Sequence, residues 1–169
     1  PLAIEAGLRL PLVYNCSGYE RAETLRLLDG VVDIYMPDFK FWDRRVAAQT
    51  CEAPDYPETA RRAIKEMHRQ VGDLVIDDSG VAISGLLVRH LVLPEDLSGT
   101  AAVLNFIAAE ISPDTYVNIM EQYRPCARAD KLPALMRPIR PTEFRAALKA
   151  AKSAGLRRLD PPRRVFRLG

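Results

Sequence analysis

The chain has 169 residues, 48% hydrophobic and 27% charged, with a formal net charge of +2; this is ordinary globular composition, enough for one domain with a sizeable core. The near-neutral balance points to no nucleic-acid or membrane partner, and no apolar run is long enough to cross a bilayer. Residues 1–7 lack the charged and apolar regions of a signal peptide, so a cytoplasmic location is the default expectation.

Residues 2–6 followed by Gly7 look like the last turn of a helix with its terminating glycine. The first methionine is Met36, so the chain reads as beginning inside an element, a fragment whose amino-terminal part is missing. Residues 8–15 read as a strand ending in Cys16-Ser17-Gly18, and residues 20–28 as a helix with Ala22, Leu25 and Leu28 on one face. Residues 31–36 are β-branched and aromatic and nearly free of charge, which predicts a buried parallel strand. Residues 41–45 read as turns. The clearest helix is 56–71, with Asp55 and Glu58 as a capping box, Pro57 in its first turn, an apolar stripe of Tyr56, Ala60, Ile64, Met67 and Val71, and a charged face holding Arg61, Arg62, Lys65, Glu66 and Arg69.

Asp77-Asp78-Ser79-Gly80 predicts a small surface hairpin or excursion between residues 73 and 85. A strand over 86–93 follows, then a helix over 100–111 with Val103, Leu104, Ile107 and Ile111 inward, and a strand over 116–120. The last helix runs from a Thr142 cap through Ala154 to Gly155, with Phe144, Ala147, Leu148 and Ala151 inward. Strand and helix thus alternate about four times, the pattern of an α/β fold with parallel strands and helical crossovers. A closed barrel of eight units takes roughly 250 residues, so the chain is expected to be the carboxyl half of a larger barrel or open sheet. Residues 160–169 read as a basic, flexible tail.

Polar residues recur at the strand ends. Asp38 and Lys40 are two apart past the strand over 31–36 and project to the same side, at the end of a parallel strand where ligands bind. Asn15, Arg89 with His90, and Gln122 with Tyr123 hold matching places, so they converge on one rim if the strands are parallel. Arg89 on such a strand needs an anion, from Asp38 or from a ligand. His90 reads as a satisfied structural histidine and His68 as a surface residue; Tyr14, Tyr35, Phe39 and Trp42 read as core and rim packing. Cys16, Cys51 and Cys126 match no zinc or iron–sulfur ligand run and read as unpaired thiols. No metal ligands and no catalytic residues are assigned.

Four runs can be taken together: Val13-Tyr14-Asn15-Cys16-Ser17-Gly18-Tyr19, Asp33-Ile34-Tyr35-Met36-Pro37-Asp38-Phe39-Lys40, Leu87-Val88-Arg89-His90-Leu91-Val92-Leu93-Pro94, and Asp114-Thr115-Tyr116-Val117-Asn118-Ile119-Met120 with Gln122-Tyr123-Arg124-Pro125. In order and spacing they resemble the carboxyl half of a radical S-adenosylmethionine (radical SAM) protein similar to pyruvate formate-lyase activating enzyme, over residues 7–159. The resemblance implies a partial (β/α)6 TIM-like barrel, with residues 1–159 as the carboxyl-terminal part of the barrel domain. SAM and a [4Fe–4S] cluster meet at the rim of such barrels, and SAM is cleaved reductively to a 5′-deoxyadenosyl radical that abstracts hydrogen. It further implies that Asn15 meets the SAM amino group, Asp38 the ribose and Lys40 the carboxylate, and that Arg89 and Leu91 flank the adenine. Tyr123 falls where the activating enzymes carry a histidine.

The family's CxxxCxxC cluster motif is absent from this chain, which is therefore expected to be inactive alone. The expected partners are the missing amino-terminal half of the barrel and a glycyl-radical enzyme or other protein substrate. Two further readings are open: an aldolase-like barrel using Lys40 as a Schiff base, and a non-catalytic half-barrel that needs a partner chain to cover its sheet edge.

Overall fold

Strand and helix alternate along the computed structural model of the chain, which describes residues 2–126 and 129–161. A short helix α1 (Leu2–Glu5) leads to β1 (Val13–Cys16), α2 (Ala22–Arg26) and β2 (Ile34–Pro37). Helices α3 (Arg44–Cys51) and α4 (Tyr56–Val71) precede a two-residue strand β3 (Val75–Ile76) and the long strand β4 (Ala82–Leu91). Then come α5 (Thr100–Phe106), β5 (Tyr116–Met120), α6 (Pro141–Ala154) and β6 (Arg158–Leu159). The main strands lie in the order β1-β2-β4-β5-β6, each parallel to its neighbour, and β3 folds back antiparallel on β4. The chain is an α/β protein with a parallel sheet and helical crossovers.

Alternation along the strands sorts the sheet into two faces. Tyr35, Leu86, Val88, His90 and Val117 are fully buried and pack with Leu25, Ile64, Met67, Val103, Leu104, Ile107 and Ala151 of the helices. The alternate residues Val13, Asn15, Leu87, Arg89, Tyr116 and Asn118 are exposed or half-buried. Among the described residues, no helix is long and apolar enough to cross a membrane.

Several boundaries differ from those expected. The first strand is confined to Val13–Cys16, because Pro11 offers no amide hydrogen and Leu10 and Leu12 are exposed. The second starts at Ile34, since the Val31 and Val32 amides are spent on the Leu28 carbonyl, closing the turn after α2. Helix α3 replaces the expected turns: Asp43 caps it, accepting from the Arg45 and Val46 amides at 2.6 and 3.1 Å. Asp55 does not cap α4; it accepts the Tyr19 hydroxyl instead. Glu66, assigned to the charged face, is 8% exposed and held by Arg69 and Gln70. The hairpin forms as predicted, but β4 begins at Ala82. Past Phe106 the expected long helix widens into a π turn over Ile107–Ile111. Helix α6 starts at Pro141 behind Arg140, so Thr142 lies inside its first turn and caps nothing.

Strand β6 was not expected: Arg158 and Leu159 pair with Tyr116 and Val117, and Asp160 accepts the Tyr116 hydroxyl at 3.0 Å. Residues 162–169 of the predicted tail lie outside the described residues.

Candidate functional site at the carboxyl ends of the strands

Asp38 and Lys40 follow β2 directly, and the backbone of this segment is pinned almost completely. The Asp38 amide donates to the Cys16 carbonyl at 2.9 Å, and the Phe39 amide donates to the Arg89 carbonyl at 2.8 Å. Tyr56, at the start of α4, accepts from the Lys40 amide at 2.9 Å, and its hydroxyl hydrogen is shared between the Ser17 and Asp38 carbonyls at 3.0 and 2.9 Å. Burial pushes the Tyr56 phenol up from its ordinary value, so it acts as a neutral hydrogen-bonding post. The Phe39 carbonyl is met by His90 Nδ1 at 2.7 Å. Gly18 completes the clamp: at φ +75° its missing Cβ would fall 2.3 Å from the Asp38 carbonyl oxygen.

On this frame three strands converge. Arg89 Nε donates to Asp38 Oδ1 at 2.7 Å, and one of its terminal nitrogens donates to Asn15 Oδ1 at 2.9 Å. Lys40 Nζ lies 3.3 Å from Asp38 Oδ2. The expected convergence of Asn15, Asp38, Lys40 and Arg89 therefore holds, and Arg89 has the Asp38 anion it requires. Side-chain exposure rises from 16% at Asp38 through 25% at Arg89 to 37% at Lys40, so the carboxylate is the inner member and the ammonium faces outward. Glu20 also acts electrostatically on the neighbouring Cys16, so acids and cations are balanced around the rim, and what stands open to a ligand is the outer ammonium of Lys40, more than a third exposed. That suits an anionic ligand group.

The other candidates separate from this cluster. Leu91 and Tyr123 line an apolar cleft of about 180 Å³ with Phe41, Leu93, Leu132 and Leu135. Tyr123 is buried, and its hydroxyl donates to the Leu135 carbonyl at 2.9 Å. Gln122 is exposed beyond β5. Cys16 is half-buried, and burial above all pushes its thiol up to about 11, which leaves a neutral thiol beside the rim. Cys51 and Cys126 are exposed, and no group of three or more His, Cys, Asp or Glu side chains among the described residues could hold a metal ion. His90 is fully buried and satisfied, Tyr35 and Phe39 are core residues, and His68 is half-buried against Asp73 at 3.1 Å.

Sequence reasoning missed two contributors. Tyr56 was assigned only to the apolar stripe of its helix, and no local pattern announces that its hydroxyl reaches three backbone groups. Asn118 is the register neighbour of Arg89 on β5, and the alternation of β5 about the buried Val117 puts it on the same face of the sheet as Arg89.

A protein of Methanocaldococcus jannaschii, described as the uncharacterized protein MJ0674, is 31% identical to this chain over 148 residues, which cover 87% of the chain and 39% of that protein. The chain thus spans about two fifths of the length of this curated relative. No protein-family model matches the chain, and no solved structure does.

Proposed function

We propose that the rim formed by Asn15, Asp38, Lys40 and Arg89 is the SAM-binding part of a radical SAM enzyme resembling the glycyl-radical-enzyme activating enzymes. The observation that carries the proposal is the cluster itself: a backbone-pinned carboxylate held between two cations at the carboxyl ends of parallel strands, the outer cation more than a third exposed. The residues suit SAM. Lys40 is the more exposed of the two cations, with two ammonium hydrogens left over from Asp38, and in this reading it pairs with the ligand's carboxylate. Asn15 Oδ1 can accept from the amino group. A carboxylate has about four acceptor positions, so Asp38 can take ribose hydroxyls while keeping its ion pairs. In this reading Arg89 and Leu91 flank the adenine, with Leu91 and Tyr123 offering the apolar cleft beside the rim.

Bound SAM supplies, on one-electron reduction, a 5′-deoxyadenosyl radical. The [4Fe–4S] cluster that delivers the electron does not fit this chain: its thiols lie at Cys16, Cys51 and Cys126 and form no ligand group. The cluster ligands belong, in this reading, to an amino-terminal half that completes a (β/α)6 barrel and covers the open face of the sheet. Two features support that half. A parallel sheet is ordinarily covered on both faces, whereas Val13 and Asn15 are exposed, and the relative is more than twice as long as the matched segment. The substrate class is a glycyl-radical enzyme or another protein.

The aldolase reading has less support, because it needs Lys40 desolvated or set beside another cation. Lys40 instead lies against Asp38 and is more than a third exposed.

Equilibrium dialysis with SAM tests the ligand. The chain is expected to bind SAM, and Asp38→Ala is expected to weaken binding at least tenfold, roughly 1.4 kcal/mol; equal binding by the two would sink the reading. After anaerobic reconstitution with iron and sulfide, the chain alone is expected to form no 5′-deoxyadenosine, whereas a protein joining it to a CxxxCxxC half forms it. Borohydride trapping with carbonyl compounds is expected to leave Lys40 unlabelled, and labelling there would favour the aldolase.

A further inference from the structure

His90 lies at the centre of β4 with none of its surface exposed, and its two ring nitrogens have partners that fix where its proton resides. Nδ1 is 2.7 Å from the Phe39 carbonyl oxygen. A carbonyl only accepts, so Nδ1 carries the hydrogen. Burial holds the imidazole below its ordinary pKa, outweighing the opposing pulls of the Phe39 carbonyl and Asp96, so the ring is neutral and Nε2 is an acceptor. Thr100 Oγ1 lies 3.0 Å from Nε2 and must donate to it.

The remaining directions follow. Thr100 Oγ1 accepts from the Ser98 hydroxyl at 3.1 Å, and Ser98 Oγ accepts from the Leu93 amide at 3.4 Å. Each side chain in the series gives one hydrogen and takes one, so a single ordered chain runs from the Leu93 amide to the Phe39 carbonyl. That carbonyl lies between Asp38 and Lys40.

The far end of this chain is held in a tense turn. Glu95 and Asp96 both adopt left-handed backbone, at φ 56° and 53°, a conformation that persists only when its surroundings enforce it. Glu143 of α6 accepts the Glu95 amide at 2.9 Å and is itself gripped by Arg137 at 2.8 and 2.9 Å. Asp96 Oδ1 accepts the Thr100 amide at 2.8 Å. The turn also touches the rim segment directly, for the Trp42 amide donates to the Ser98 carbonyl at 3.1 Å.

We infer that His90 is a positioning residue for Asp38 and Lys40, its Nδ1–H set by the Phe39 carbonyl and its ring held in place by the Thr100 and Ser98 hydroxyls, so that the turn at residues 94–99 sets the geometry of the rim. The expected effect on ligand binding rests on the SAM reading above; the hydrogen-bond order does not.

Thr100→Val removes the donor to Nε2 without touching Asp38 or Lys40, and Thr100→Ser restores it. In NMR spectra of the nitrogen-15-labelled chain at neutral pH, His90 of the unmodified protein is expected to show a protonated Nδ1 and an unprotonated Nε2. In the valine variant the Phe39 and Lys40 amides are expected to exchange about fivefold to tenfold faster relative to those of α6, and SAM to bind more weakly by a similar factor; the serine variant returns both. A wild-type Nε2–H tautomer, or unchanged relative exchange at Phe39 and Lys40, would overturn the inference. An Nε2–H tautomer in the unmodified protein overturns the inference even if the valine variant does not fold. Expected ring shifts and exchange in a protein that binds no SAM would sink the ligand reading and leave the positioning role standing.

Discussion

Two ion-pair clusters in this molecule are each built from acids, cations and one side-chain amide and have opposite characters. On α4, Arg69 meets both Glu66 and Asp29, Gln70 donates to Glu66 and to the Leu25 carbonyl, and Gln70 Oε1 accepts the Tyr35 hydroxyl at 2.7 Å. That network ties α2, α4 and β2 together, and its cation is shared between two acids. At the strand ends the proportion is reversed: Asp38 is shared between Arg89 and Lys40, and the outer cation has a single acid partner. A polar cluster whose cations are already saturated is structural cement, whereas one with cationic capacity to spare is ready for an anion.

The strongest way to break the second cluster is through its backbone. Gly18→Ala puts a side chain on a left-handed residue and a Cβ 2.3 Å from the Asp38 carbonyl oxygen. The conformation alone costs roughly 1–2 kcal/mol, and the contact forces Asp38 away, so urea unfolding should show a loss of about 3 kcal/mol together with loss of ligand binding. Tyr56→Phe is gentler: it strips the Lys40 amide and the Ser17 and Asp38 carbonyls of one partner, and a loss of about 2 kcal/mol is expected in the same measurement. The equivalent disturbance at the α4 cluster should leave the rim and its ligand affinity unchanged.

These two residues also mark the limit of what the sequence discloses. The strand–helix alternation, the 56–71 helix, the hairpin and the 116–120 strand are written in apolar periodicity and turn residues, and so is the placing of Asp38 and Lys40 beyond a parallel strand. Helix α3 was hidden because Asp43 caps it from within a cluster of charge and aromatics that resembles a turn. Strand β6 was hidden because two residues carry no periodicity; it exists because the β5 edge offers its hydrogen bonds to Arg158 and Leu159. The ion pairs of Arg89 depend on register between strands separated by whole helices. The role of Tyr56 depends on three backbone groups from two loops, which nothing in its own helix encodes.

The α4 cluster is best tested by acid. Arg69 first, then Gln70, hold the Glu66 carboxyl down at about 2, from a usual 4.5. The folded state thus favours the ionised form, so the stabilisation is fully present above the unfolded value and is lost as pH falls from about 4.5 toward about 2. Glu66→Gln cannot titrate. The difference in urea midpoint between the unmodified protein and this variant should therefore narrow across that window; a difference independent of pH would show that the carboxylate is not what the network holds.

The smallest stability effect should accompany the most specific functional one. Lys40 is the most exposed member of the rim, and an exposed ion pair contributes about 0–1 kcal/mol, so Lys40→Met should unfold within roughly 0.5 kcal/mol of the unmodified chain. It also removes the outer cation, leaving Asp38 paired with Arg89 and no exposed ammonium for a carboxylate. SAM affinity should fall about tenfold or more, since a charge-assisted hydrogen bond contributes roughly 1.5–3 kcal/mol, while a SAM analogue lacking the carboxylate should bind the two proteins alike. Arg69→Met should do the reverse, lowering stability and sparing SAM. If instead Lys40→Met weakened folding as much as binding, the ammonium would be part of the scaffold, and the distinction between a saturated and an open cluster would fail at the residue where it is sharpest.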